Sequence, residues 1–286
     1  MSQAVTWLML FGMCFIANAW TGKVCDIWEI EQSDLHYEGV TYYDDHIYAN
    51  SMSHQHLFRI DPEFLDDEMP NKVEKTSEAA IGLGSQKGLS LCSSDKEDRI
   101  YGCFFSANGS ELGGLVMWDD DMEWKKTYLH PGITHAADCI VSDEQKTVYF
   151  TSSIVGLIVA CDLDLYDCTT YVSGGDLVST DPIQSQGFPL GVNGIEYFDD
   201  DDEPYLIGGN YDDGKLVKIM VHETPSLRTM SSVTIHDPDD LMINTHFYHH
   251  HFPMLRGVDG IVRVDDDVLI CVTKERVILL ETYDKF

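Results

Sequence analysis

Positive charge is what this sequence lacks most. Its 286 residues carry 18 lysines and arginines against 49 acids, a formal net charge of −31 with histidine neutral. A field of that sign repels phosphate backbones and anionic lipid surfaces, which argues against nucleic acid and membrane surfaces as partners. The same field draws in cations, calcium among them. Long apolar runs are missing as well. Trp7–Ala19 is short of the ~20 residues that a membrane-spanning helix needs, and no later segment is longer. No amphipathic helical pattern of convincing length appears. No Gly-x-Ser-x-Gly turn occurs at a strand-to-helix junction, so a serine triad of that kind has no support.

What is present begins with an address. Trp7–Ala19 ends in Ala17-Asn18-Ala19, the small-x-small pattern of a signal-peptidase site. The expectation is a signal peptide over 1–19, one domain over 20–286, and a secreted product with no membrane segment after cleavage. Removal of Cys14 leaves seven cysteines: Cys25, Cys92, Cys103, Cys139, Cys161, Cys168 and Cys271. Cys92 and Cys103 flank one acidic hairpin turn and Cys161 and Cys168 flank another, so each pair is a disulfide candidate if the strand register allows it. Otherwise these residues are small buried hydrophobes. Asn108-Gly109-Ser110 is an N-glycosylation sequon on a polar turn, placing a glycan on Asn108 of an exported chain.

Short runs of Val, Ile, Tyr, Phe and Leu alternate with turns of Asp, Gly, Ser and Asn, which is the pattern of an all-β fold. The runs repeat at a period of about 50 residues, the length that one propeller blade needs. Each copy opens on an apolar strand, makes an acidic turn, returns, and crosses a small polar turn to a third strand. The copies start at Glu38, Lys87, Ala137, Asn193 and Asp259. A β-propeller of four-stranded antiparallel blades follows, six-bladed with five repeats visible. Asn71 to Gly84 is a place for the sixth copy, and Lys23 to Ile30 for a strand that closes the ring and hides its edges. The acidic runs Asp119-Asp120-Asp121, Asp199 to Glu203 and Asp265-Asp266-Asp267 fall between strands and read as solvated hairpin tips.

If the first strand of every blade lines the axis, the opening residues share one end of a central channel. Three of them, Glu38, Asn193 and Asp259, are oxygen donors, and each is followed by glycine and an apolar residue. Hard oxygen donors without a soft ligand suit Ca²⁺. Asn244 to Phe252 carries three consecutive histidines, His249-His250-His251. Neighbouring side chains rarely converge on one ion, so this stretch reads as a surface or substrate-facing loop.

Glu38-Gly39-Val40, Val192-Asn193-Gly194-Ile195 and Val258-Asp259-Gly260-Ile261 resemble the blade-opening motifs of the senescence-marker-protein-30/gluconolactonase group. They are equally similar to those of calcium-dependent phosphotriesterases of the diisopropylfluorophosphatase type. The resemblance runs from Glu38 to about Leu280. It implies a six-bladed propeller holding Ca²⁺ on Glu38, Asn193 and Asp259, with Asp259 also the base or nucleophile. The substrate would be a small molecule, a lactone or an organophosphate-like ester. The pattern departs at the third blade, where the group has a second asparagine and this chain has Ala137. Asp138 and His135 are the neighbours that stand nearest to that position. The alternative is a non-enzymatic extracellular propeller that binds a partner, with a structural metal or none.

Overall fold

The computed structural model describes residues 37–44, 46–52, 55–60, 73–75, 86–106, 109–180, 189–199, 203–221, 230–234, 258–265, 268–273 and 277–281. The signal segment, Lys23 to Ile30, Asn108 and Asn244 to Phe252 lie outside the described residues.

The strands alternate with turns in five antiparallel sheets. The first comprises β1 (Tyr37–Tyr43), β2 (His46–Ser51), β3 (Phe58–Ile60) and β4 (Val73–Lys75). The second comprises β5 (Lys87–Ser94), β6 (Arg99–Phe105), β7 (Gly114–Asp119) and β8 (Trp124–Leu129). The third holds β9 (Ala136–Ser142), β10 (Thr147–Ser152), β11 (Leu157–Asp162) and β12 (Cys168–Ser173). The fourth holds β13 (Val192–Phe198), β14 (Tyr205–Asn210), β15 (Lys215–Met220) and β16 (Met230–Thr234). The fifth has three described strands, β17 (Val258–Asp265), β18 (Val268–Thr273) and β19 (Val277–Glu281). Each sheet is a meander, every strand pairing with the next in sequence, as in a propeller blade. The opening strands β1, β5, β9, β13 and β17 pack side by side in that order, so they form the inner wall.

The repeat is therefore real, and four of the five described sheets have one strand beyond the three the pattern marks. Within Asn71 to Gly84, the place expected for a sixth copy, the described residues Val73–Lys75 pair with Phe58–Ile60 as the outer strand of the first blade. A strand of three residues carries too little periodicity to mark itself in the sequence.

The core is divided between blades. Tyr43, Tyr48, Leu57, Leu91, Ile100, Phe104, Val116 and Trp118 fill the space between the first two. A second cluster including Tyr101, Leu115, Cys139, Phe150 and Val159 lies between blades two and three. A third, including Tyr149, Ile158, Ile195, Tyr197 and Val217, joins blades three and four. No single blade encloses an interior, so stacking supplies the burial that holds each sheet. The apolar residue after each inner-strand opening measures that stacking: Leu91, Cys139, Ile195 and Ile261 are 5, 4, 2 and 4 % exposed. On β1 the equivalent Val40 is 42 % exposed and Tyr42 61 %, so that side of the first blade stays open to solvent.

The acidic hairpin turns follow one scheme. Ser94 Oγ accepts from the Glu97 N–H and Ser142 Oγ from the Gln145 N–H, each at 3.2 Å, and Asp98 and Lys146 close their turns at φ 52° and 49°. These turns also tie blade to blade, Ser94 to Asp143 and Lys96 to Glu144. Asp119 departs from the solvated tip expected of it. It is 8 % exposed, accepts from the Glu123 N–H at 2.8 Å, and pairs with Lys125.

Two disulfides are present among the described residues. Cys161–Cys168 joins directly paired residues of β11 and β12, as the flanked turn suggested. Cys92 does not bond Cys103; it bonds Cys139 of the next inner strand. Register is the reason. Cys92 faces Tyr101 across the β5–β6 ladder, and Cys103 stays a buried thiol. No helix among the described residues is long and apolar enough to cross a membrane.

Candidate functional site

All five inner strands break register at the same place. Between Tyr37 and Val40, Gly88 and Leu91, Ala136 and Cys139, Val192 and Ile195, and Val258 and Gly260, the inner strand holds one residue more than its partner. Such a bulge lets neighbouring side chains turn to the same side of a strand and leaves backbone groups without ladder partners. The bulged residues are Glu38-Gly39, Leu89-Ser90, Ala137-Asp138, Asn193-Gly194 and Asp259.

This arrangement decides the third blade. A slip of one residue along a plain strand would turn Asp138 away from the channel. Within a bulge both Ala137 and Asp138 face it. In the second blade the polar residue at the bulge is Ser90, and Lys87 lies off the wall.

Four of the five bulges, all but Asn193-Gly194, line a cavity of about 460 Å³. Glu38, Ser90, Asp138, Glu196 and Asp259 line it with the apolar Val40, Leu89, Leu91, Ile140, Ile195 and Ile261. No lysine, arginine or histidine is among the described lining residues. Asn193 sits behind this wall, 8 % exposed, and its Nδ2 donates to Asp259 Oδ1. His135 is not on the wall. It packs against the Phe105 ring at 5.1 Å between centroids, and burial pushes its pKa down to about 4.

A belt of hydrogen bonds crosses all five blades. Asn50 Nδ2 donates to the Ser90 carbonyl at 3.2 Å, and Ser90 Oγ donates to Asp138 Oδ1. The Asp138 N–H donates to Thr151 Oγ1 at 3.1 Å, and that hydroxyl donates to the Asn193 carbonyl at 2.6 Å. Asn193 then passes to Asp259. Ser153 Oγ donates to Asn193 Oδ1 at 2.7 Å, and the Ile195 N–H donates to Asp138 Oδ2 at 3.0 Å. The bulge carbonyls of Ser90 and Asn193 find donors in the neighbouring blade and the Asp138 N–H finds an acceptor in its own, which satisfies backbone groups that burial would otherwise penalise.

Four carboxyls share one cavity, and burial raises the pKa of each, that of Glu196 against hydrogen bonds from the Arg263 and Tyr197 N–H groups. Burial pushes Glu38 up to about 6, and the charge of Asp259 adds to the rise. Burial pushes Asp138 up to about 7, against hydrogen bonds from Ser90, Ile195 and Cys139, with Asp259 again adding. Asp259 is raised by burial and partly restrained by Asn193. Glu38 and Asp259 keep contact with solvent, so for these two the direction of the shift is what matters. Among the described residues no three His, Cys, Asp or Glu side chains stand close enough to hold an ion by themselves. The expected set of two carboxylates and one carboxamide has only two such side chains.

Glu38, Asn193 and Asp259 were legible as donors before glycine. Ser90, Thr151 and Ser153 were not, because a hydroxyl in or beside a strand carries no mark of its partner. The run Thr151-Ser152-Ser153, polar directly after an apolar strand, is the nearest thing to a signal.

No family model and no curated protein matches the chain. Solved structures do. A chain in the crystal structure of a nidogen/laminin complex aligns at TM-score 0.55 and 11 % identity, over 87 % of this chain and 77 % of that one. A functionally unknown protein from Desulfotomaculum acetoxidans DSM 771 aligns at TM-score 0.51 and 12 % identity, over 83 % of this chain and 62 % of that one. At such identity the likeness speaks for the fold alone, and with the five meander sheets it makes this chain a β-propeller.

Proposed function

We propose that the chain is a secreted, calcium-dependent hydrolase of small esters of the lactone or phosphotriester type, akin to the gluconolactonase group. The observation that carries this reading is the shared bulge, which sets Glu38 and Asp259 on one cavity wall with Asn193 bonded to Asp259. Electrostatics supports it. A developing oxyanion beside Glu38, Asp138, Glu196 and Asp259 needs positive charge, and no described lining side chain supplies any.

The donors suit a hard cation. Glu38, Asp259 and the Asn193 carboxamide oxygen would hold Ca²⁺, which takes six to eight oxygens and fills its remaining positions with water or substrate. Asn193 can present its oxygen to such an ion. Its partner Ser153 carries a hydroxyl that accepts as well as donates, so the carboxamide can turn about without losing that bond. Calcium, when bound, polarises the carbonyl or phosphoryl oxygen of the substrate. Asp259 would take a proton from water or attack the substrate directly. The apolar wall favours an uncharged substrate, and the volume lies within the range of small-molecule sites. The two disulfides accord with an oxidising compartment and hence with export.

Calorimetric titration of the mature chain with Ca²⁺, beside Glu38→Gln and Asp259→Asn, tests the reading. One site lost in both variants, with lactone or phosphotriester hydrolysis lost in Asp259→Asn, is the expected result. No site, or one indifferent to both changes, overturns it and leaves an extracellular binding propeller.

A further inference from the structure

In the first four blades one position of the second strand lies opposite the inner-strand bulge: Asn50 on β2, Cys103 on β6, Thr151 on β10 and Gly209 on β14. Asn50, Cys103 and Thr151 are each 0 % exposed. Asn50 and Thr151 do the same thing there. Each reaches past its own blade and donates to a bulge carbonyl of the next, Asn50 to Ser90 and Thr151 to Asn193. Where Gly209 offers no side chain, the following bulge is held by Asn193 itself, through Asp259.

Thr151 does more than Asn50, because its hydroxyl is engaged on both sides. It accepts from the Asp138 N–H at 3.1 Å in its own blade and donates to the Asn193 carbonyl at 2.6 Å in the next. One proton and one lone pair thus fix two bulges relative to each other. Those bulges present Asp138 to the cavity and Asn193 to Asp259. We propose that Thr151 is a positioning residue of the site, setting the spacing between Asp138 and the Asn193–Asp259 pair by bridging the third and fourth bulges. It touches neither the cavity nor a substrate, and it acts through the backbone at Asp138 and Asn193. For its effect on metal affinity the proposal rests on the calcium reading above; for its effect on geometry it does not.

The test compares Thr151→Val, which keeps the shape and removes the hydroxyl, with Thr151→Ser, which restores it. Ile219→Val, buried in the same core but paired with Leu206 and Met230 rather than with a belt residue, serves as a control that costs stability without touching the belt. Two readouts are taken on the mature chain. The first is amide hydrogen exchange at Ile195, whose N–H reaches Asp138 Oδ2 and never Thr151. The second is Ca²⁺ affinity. In Thr151→Val the Ile195 amide exchanges faster than the blade around it, and Ca²⁺ binds about 10- to 100-fold more weakly, the usual cost of losing an outer partner of a metal site. Thr151→Ser returns both to the wild-type values. If Thr151→Val instead behaves as Ile219→Val does, with exchange rising evenly and affinity unchanged, the proposal is overturned. Should wild-type protein bind no Ca²⁺, the calcium reading fails and Ile195 exchange alone decides this one. If the valine variant does not fold, Thr151→Cys, a weak donor of similar size, is read in the same way.

Discussion

A methyl group at position 39 would meet the Leu89 carbonyl oxygen at 2.2 Å and the Ser90 Cα at 2.4 Å. Both are backbone atoms and cannot step aside, so Gly39 is what lets the first bulge lie against the second. The same addition at Gly260 would meet no atom within 4 Å. Gly39→Ala is therefore expected to lose about 1–3 kcal/mol or more, as overpacking does, and Gly260→Ala to stay within about 0.5 kcal/mol. Urea melts of the two variants check the difference. Equal losses would mean that both glycines matter for chain flexibility and neither for approach. The donor-glycine pairs were visible in the sequence, but which glycine another strand presses against was not.

At the scale of the element, the bulge is the unit that matters. A period-two strand gives each residue one face, and on that rule Asp138 belongs to the wrong one. The extra residue in β9 breaks the rule and puts Asp138 on the wall. No residue pattern announces it, since Glu-Gly, Leu-Ser, Ala-Asp and Asn-Gly all serve. The disulfides teach the same lesson from two sides. Cys161 and Cys168 are directly opposed across a hairpin, so sequence proximity sufficed. Cys92 and Cys139 come from different blades, and only stacking brings their Cα atoms to 5.8 Å. Their sequence separation is 47 against 7, and chain entropy then gives about 4 kcal/mol to the first bridge and about 2.4 to the second. The double variant Cys92→Ser/Cys139→Ser should accordingly lower the denaturant midpoint more than Cys161→Ser/Cys168→Ser. The reverse order would show that the inter-blade wall holds without its staple.

The whole molecule answers to pH through the cavity. Asp138 ionises near 7 when folded and near its ordinary value of 3.8 when unfolded, so the folded chain holds that proton more tightly. Its contribution is fully present below pH ~4 and is lost as pH rises through about 7, by at most ~1.4 kcal/mol per unit. Glu38 and Asp259 shift in the same direction. In chelator, wild-type Tm is expected to fall between pH 5 and pH 8. Asp138→Asn, which cannot ionise, should fall less, so the gap between the two narrows or reverses. Parallel curves would place the pH dependence elsewhere.

By itself the sequence determined the all-β class, the blade period, the acidic hairpin turns and the three donor-glycine openings. Each of these is written within one strand or turn, where alternation, turn chemistry and charge act between near neighbours. The tertiary structure alone decided that Asp138 reaches the cavity, that Cys92 pairs with Cys139, and that Thr151 joins two bulges. All three depend on register between strands and on the approach of one blade to the next. Those distances are set by packing across some 40 to 60 residues of chain, as between Cys92 and Cys139 or Asp138 and Ile195, and no local pattern encodes them.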